Sequence, residues 1–200
     1  LKEFNLNQAC IDTLEANGLR DARLRLTVSR GEVDSFPGLN VRAMPTVLVT
    51  ARSYSPLPSE VYHRGYRVCV SSFRRYSHLL LSRLKTTNYL ISLLAKAEAE
   101  KSGMDEALLL NEDGFITEGS ISNVFFVEPT GLVTPSLECG ILPGVTREVV
   151  LELAKTMKIK AIESEVRLED LGRFDEAFLT NSVMEVMPLV AVRDIDGRMI

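Results

Sequence analysis

The chain has 200 residues, 46% hydrophobic and 25% charged, with a formal net charge of −4. That mix supports a packed core and gives no bulk-charge reason to bind nucleic acid or an anionic membrane. Cys10, Cys69 and Cys139 lie far apart without CxxC spacing, a pattern that excludes a disulfide framework or zinc site and points to free thiols in a reducing cytoplasm.

Residues 1–19 read as a helix, with Phe4, Ala9, Ile11, Leu14 and Leu19 at helical positions and Gly18 at the end. No charged stretch followed by an apolar core precedes it, so a secretory signal is not expected. Residues 22–30 (ARLRLTVSR) alternate polar and apolar and read as a strand, and 31–38 as a loop. Residues 45–51 and 66–72 read as strands, and 56–65, with two prolines, as a loop. The apolar run at 43–50 contains Pro45 and is too short to span a bilayer. Residues 73–83 show no clear period and read as a linker. His63 and His78 sit in neither a metal-ligand nor a triad pattern.

Beyond the linker, residues 88–101 place Leu90, Leu93, Leu94 and Ala97 on one helical stripe, with Gly103 as the stop. Residues 107–110 read as a buried strand, and Asp113-Gly114 is a hairpin signal. Strands are expected at 115–118, 124–128, 160–166, 176–180 and 188–192. A turn is expected at 129–131, an amphipathic helix at 146–157 and a short helical turn at 168–171. Interleaved strands and helices imply mixed α/β or α+β layers. The chain starts within a helical pattern and stops after an Asp196-Gly197 turn, so further material is expected at both ends.

Three features carry chemistry. Lys85 (RLKTTNYL) lies between the apolar 79–81 stretch and an apolar helix, a setting that would bury its amine and suit it to bond a carbonyl carbon covalently. Glu118, in TEGSISN, is a carboxylate at a strand end followed by glycine and small polar residues; the plainer reading is a polar turn. GILPGVT (140–146) runs into a helix start, whose free N–H groups and positive dipole end suit an anion such as phosphate. Here the plainer reading is Thr146 capping its own helix. Together the three call for a ligand with an aldehyde, a ring nitrogen and a phosphate, and pyridoxal 5'-phosphate (PLP) has all three.

The stretch KTTNYLISLLAKAEAEKSGMDEALLLNEDGFITEGSISNVFFVEPTGLVTPSLECGILPGVTREVVLELA resembles the core of the class IV (fold type IV) PLP enzymes. These comprise branched-chain aminotransferases, D-amino-acid aminotransferases and 4-amino-4-deoxychorismate lyase. The resemblance runs from about residue 81 to 188, and ARLRLTVSRG resembles a small-domain strand of the same family. It implies a small α/β domain (1–78), a linker (79–84) and a larger pseudo-barrel, PLP-binding domain (85–200). It implies that Lys85 is the Schiff-base and proton-transfer lysine and that Tyr89 hydrogen-bonds the cofactor's phenolate oxygen, although its spacing from the lysine is one residue short. It places Glu118 at the pyridine nitrogen and Gly144, Val145, Thr146 and Ser182 around the phosphate. Arg30, or alternatively Arg25, would read the substrate carboxylate, and Asn181 lies beside the substrate. The family's N-terminal phosphate-gripping arginine has no counterpart in the chain. LSRLKTTNYL and TNSVMEVMPLV look more like the lyases, which release pyruvate and form 4-aminobenzoate for folate synthesis. TEGSISNVF and Glu185 fit the aminotransferases equally well. A non-catalytic relative keeping the fold is a remote alternative. The resemblance also implies a cytoplasmic homodimer acting on a small amino substrate.

Overall fold

The computed structural model describes residues 4–32 and 43–200, and the chain divides into two compact units, Leu1–Pro56 and Leu57–Ile200. Part of the loop expected at 31–38 lies outside the described residues. The first unit holds α1 (Leu6–Ala16), β1 (Ala22–Ser29) and β2 (Thr46–Ser53). Asn5 sets the start of α1, because its side-chain oxygen accepts the Gln8 N–H at 3.0 Å and satisfies one of the first-turn donors. β1 and β2 pair antiparallel, with Leu24 opposite Ala51 and Leu26 opposite Val49.

The second unit contains α2 (Ser59–Arg64), β3 (Tyr66–Arg75), α3 (Leu90–Lys101), β4 (Glu106–Asn111), β5 (Ile116–Gly119), β6 (Asn123–Glu128), β7 (Gly131–Pro135), α4 (Val145–Thr156), β8 (Ala161–Ser164), β9 (Glu176–Asn181) and β10 (Glu185–Arg193). Its eight strands run in the order β5-β4-β3-β10-β9-β6-β7-β8. β5 is an edge strand, yet only Ser120–Ser122 separate it from β6, which lies well inside that order. A turn this short forces the sheet to curl until its β5 edge meets β6, which is the curvature the pseudo-barrel expectation requires.

Strand alternation builds two buried layers. Val68, Val70, Leu108 and Leu110 point to one side, into a core with Ile116, Val124, Phe126, Leu179 and Met187. Cys69, Ala107 and Leu109 point to the other, against Ala95 and Ala99 of α3. Strands covered on both faces lose the polar–apolar alternation of a half-exposed sheet, and every residue of β4 is buried.

Several boundaries differ from the sequence reading. The units part after Pro56 rather than after residue 78, because β3 pairs in parallel with β4 and β10 and so belongs to the large sheet. The expected linker at 79–84 lies within that unit and contains a 3-10 turn, Leu80–Arg83. The 56–65 loop contains α2; Pro58 occupies its N-cap position without a capping hydrogen bond, and a proline at a helix start gives up only an N–H that would have no partner there. The sequence reading places a turn at 129–131 and no strand after it, whereas β7 pairs with β6 and β8. All three cysteines are free. No helix among the described residues is long and apolar enough to cross a membrane.

Candidate active site

The site grows out of the β4–β5 hairpin. Asn111 begins the turn, with its side-chain oxygen accepting the N–H groups of Asp113 (3.1 Å) and Phe115 (2.9 Å), and Gly114 closes it at φ 81°. β5 then runs fully buried from Ile116 to Gly119 and delivers Glu118 to the place where the sheet closes.

Glu118 is only 6% exposed. Its Oε1 pairs with Arg75 Nη1 at 2.8 Å, and its Oε2 accepts from Asn123 Nδ2 at 3.0 Å and from the Leu142 N–H at 2.9 Å. Burial pushes the Glu118 carboxyl up to about 7; the Arg75 charge, the Leu142 N–H and the Lys85 charge oppose that rise, and the Glu106 charge adds to it. Desolvation therefore outweighs a close ion pair, as expected for a carboxylate removed from water.

The same hydrogen bonds join Glu118 to the other two motifs. Asn123 Nδ2 also donates to the Leu142 carbonyl at 3.0 Å. Arg75 Nε donates to the Gly140 carbonyl at 2.9 Å, and its Nη2 to the Ser82 carbonyl at 2.5 Å. Arg75 thus ties the acid to the GILPGVT loop and to the segment that leads into Lys85. A Cβ at Gly144 would lie 2.1 Å from Asn123 Oδ1, so this glycine is needed to let Asn123 pack.

Gly144 is the N-cap of α4 and brings no side-chain cap; Thr146 does not cap its helix. Glu148 N–H is bonded to Gly144 O, so the amides of Val145 and Thr146 fall among the unpaired donors of a helix start. Val145 is 74% exposed and Thr146 half-buried. Ser182 is exposed in the turn between β9 and β10. That turn is held by Asn181, whose Oδ1 accepts from Val183 and Met184 N–H at 2.9 Å and whose Nδ2 donates to Ile121 O at 3.2 Å. Asn181 therefore docks the Ser182 turn on the segment following Glu118, and its own amide is taken up in that task rather than free for substrate.

Lys85 is exposed, not buried as its apolar neighbours suggested. Leu79, Leu80, Leu81 and Leu84 are themselves 47–70% exposed and do not enclose it. Tyr89 is the N-cap of α3 and is 37% exposed. Arg25, on β1 opposite Thr50, and Arg30, just past β1, belong to the first unit and are exposed. Sequence reasoning missed Arg75 and gave Asn123 no role. Arg75 lay in a stretch without visible period, and only the extension of β3 to residue 75 would have revealed it.

This site lies within a recognisable lineage. The amino-transferase class IV family model matches residues 1–192, and the chain belongs to that family. A Methanocaldococcus jannaschii protein provisionally named a branched-chain-amino-acid aminotransferase is 41% identical over 95% of this chain and 64% of its own length. The aminodeoxychorismate lyase of Bacillus subtilis is 36% identical over 92% of this chain and 62% of its own. Among solved structures, a Legionella pneumophila protein provisionally named 4-amino-4-deoxychorismate lyase matches with TM-score 0.85 and 25% identity, covering 95% of this chain and 70% of its own. A Thermobaculum terrenum branched-chain amino acid aminotransferase in its PLP form matches with TM-score 0.80 and 31% identity, covering 95% and 63%. The chain thus spans 62–64% of the length of these curated relatives.

Proposed function

We propose that the full-length protein is a PLP-dependent enzyme acting on a small amino substrate, and that it is a 4-amino-4-deoxychorismate lyase. The observation that carries the cofactor reading is the state of Glu118. A carboxylate offers about four acceptor positions, and three are taken, by Arg75, Asn123 and the Leu142 N–H. The remaining position, on an acid poised near neutrality, suits a ring N–H. The uncapped start of α4 suits a phosphate, and Lys85 is near enough for its charge to act on Glu118. These residues fit the group.

Bound PLP supplies an electron-accepting ring joined to an aldehyde that an amine can hold. Lys85 Nζ would be the amine that holds this aldehyde and, when free, the base that takes a proton from the substrate carbon bearing nitrogen. Glu118 would keep a proton on the ring nitrogen. Val145 and Thr146 N–H, with the hydroxyls of Thr146 and Ser182, would hold the phosphate. Tyr89 would donate to the phenolate oxygen, and Arg30 or Arg25 would read a substrate carboxylate.

The lyase reading is supported by the Asn181 turn in TNSVMEVMP and by likeness to the B. subtilis lyase. A second reading, a branched-chain aminotransferase, is favoured by the 41% identity to the M. jannaschii protein. Full-length protein incubated with aminodeoxychorismate should release 4-aminobenzoate; glutamate formation from leucine and 2-oxoglutarate without 4-aminobenzoate selects the aminotransferase. Lys85→Ala should lower either activity by at least about 100-fold, the low end of what a general base contributes, and an unchanged rate refutes the assignment. In this reading the enzyme is a cytoplasmic homodimer. Leu80, Leu90 and Val145, 62–74% exposed, are apolar surface a second copy would cover, and light scattering of the full-length protein tests it.

A further inference from the structure

We infer that Glu106 is the positioning residue for Glu118, acting through the turn that joins β5 to β6. This rests on reading Glu118 as the partner of the ring nitrogen. Glu106 opens β4 and is 1% exposed. Its Oε1 accepts from Ala107 N–H at 2.8 Å, from Ser120 N–H at 3.1 Å and from Ser120 Oγ; Ser122 Oγ faces its Oε2 at 3.4 Å. Among the described residues no cation pairs with it. A buried carboxylate held only by dipoles needs each of them, and three of these four donors belong to the turn that follows Glu118.

The turn is wound tightly on this carboxylate. Gly119 N–H donates to Ser122 O at 2.7 Å, and Ser120 N–H also reaches Ala107 O at 3.1 Å. A Cβ at Gly119 would lie 2.2 Å from Ser122 Oγ and 3.3 Å from Glu106 Cγ. Glu118 immediately precedes the turn, and Asn123, one of its donors, immediately follows. Glu106 thus pins the short stretch whose two ends carry the acid and a group that orients it. The Glu106 charge also adds to the upward push on the Glu118 carboxyl.

The test is a double-mutant cycle on PLP affinity, read by titrating PLP into the cofactor-free full-length protein and following the bound-cofactor absorbance. Glu106→Ala should weaken binding about tenfold or more where Glu118 is present, and less than about twofold in a Glu118→Ala background, because coupled residues are non-additive. Glu106→Gln keeps the Oε1 acceptor and should restore affinity to within about threefold of wild type. Equal losses in both backgrounds, or no rescue by glutamine, overturn the inference. If Glu118→Ala alone leaves PLP affinity unchanged, the reading of Glu118 fails first and takes this one with it. Should Glu106→Ala not fold, Ser120→Ala takes its place in the cycle, with the same coupling to Glu118 expected and its absence decisive.

Discussion

Glu118 makes the stability of the cofactor-free protein depend on pH in an unusual direction. Its carboxyl titrates at about 7 in the fold against an ordinary value of 4.5. The folded state therefore holds a proton that the unfolded chain has already released. The stability tied to that proton is complete below pH 4.5 and is lost as pH rises through 7. The gap of roughly 2.5 units at about 1.4 kcal/mol each gives about 3 kcal/mol in all, of which somewhat over 2 kcal/mol falls between pH 5 and 8. Asp105 is held below its ordinary value by the Arg64 guanidinium, and Glu112 by the Ser77 N–H. Their contributions change at lower pH and leave this window clear. Urea unfolding of the apo full-length protein, followed by far-UV circular dichroism at pH 5, 6, 7 and 8, measures the effect. Glu118→Gln removes the titrating group, so its stability curve should lie flatter than wild type by on the order of 2 kcal/mol across the window. Parallel curves for the two proteins would refute the claim that burial outweighs the Arg75 pair.

Arg75→Met removes the cation that opposes the rise of the Glu118 carboxyl, so its cost should grow with pH and approach about 3–5 kcal/mol only where the acid must ionise unpaired; thermal melts should show the loss largest at pH 8 and above and smallest below pH 6, where the acid is protonated. Gly144→Ala forces a methyl to 2.1 Å from Asn123 Oδ1 and should destabilise by about 1–3 kcal/mol. The same change should weaken PLP binding, measured by equilibrium titration, because Asn123 both orients Glu118 and braces the Leu142 carbonyl.

Much of the fold was legible because its signals are local. Alternation in ARLRLTVS marked β1, Asp113-Gly114 marked the hairpin, and the Leu90-to-Ala97 pattern marked α3 as a helix, although the face it buries is that of Ala95 and Ala99 while Leu90, Leu93 and Leu94 are exposed. Where the sequence misled, tertiary contacts decided. Residues 73–75 carry no period because β3 is buried on both faces over Val68–Ser71 and its pairing with β4 shifts register between Val70 and Arg74, so the strand looked like a linker and the domain boundary was set too late. β7 looked like the tail of a turn because five residues beginning with glycine carry little pattern; its partners β6 and β8 make it a strand. At the site, the three motifs were visible by composition and spacing. The frame joining them was not, since Arg75 lies 43 positions before Glu118 and its role is fixed only by the parallel pairing of β3 with β4. The burial expected for Lys85 failed because apolar neighbours in sequence do not enclose a side chain when they are themselves exposed.

Why should an acid that meets a cation and two hydrogen-bond donors still titrate near neutrality? Burial comes first: the carboxyl is removed from water. Two of those groups are also bonded elsewhere, since Arg75 serves the Gly140 and Ser82 carbonyls and Asn123 serves the Leu142 carbonyl. The chain therefore brings Glu118 close to ionisation without completing it, and one further donor decides the outcome. If that donor is a protonated ring nitrogen, linkage makes the effect mutual: ionised Glu118 raises the proton affinity of the ring by as much as the ring cation lowers that of Glu118. A site held halfway responds to its ligand with a full unit of charge, whereas a carboxylate already ionised by stronger partners would have less left to offer the ring.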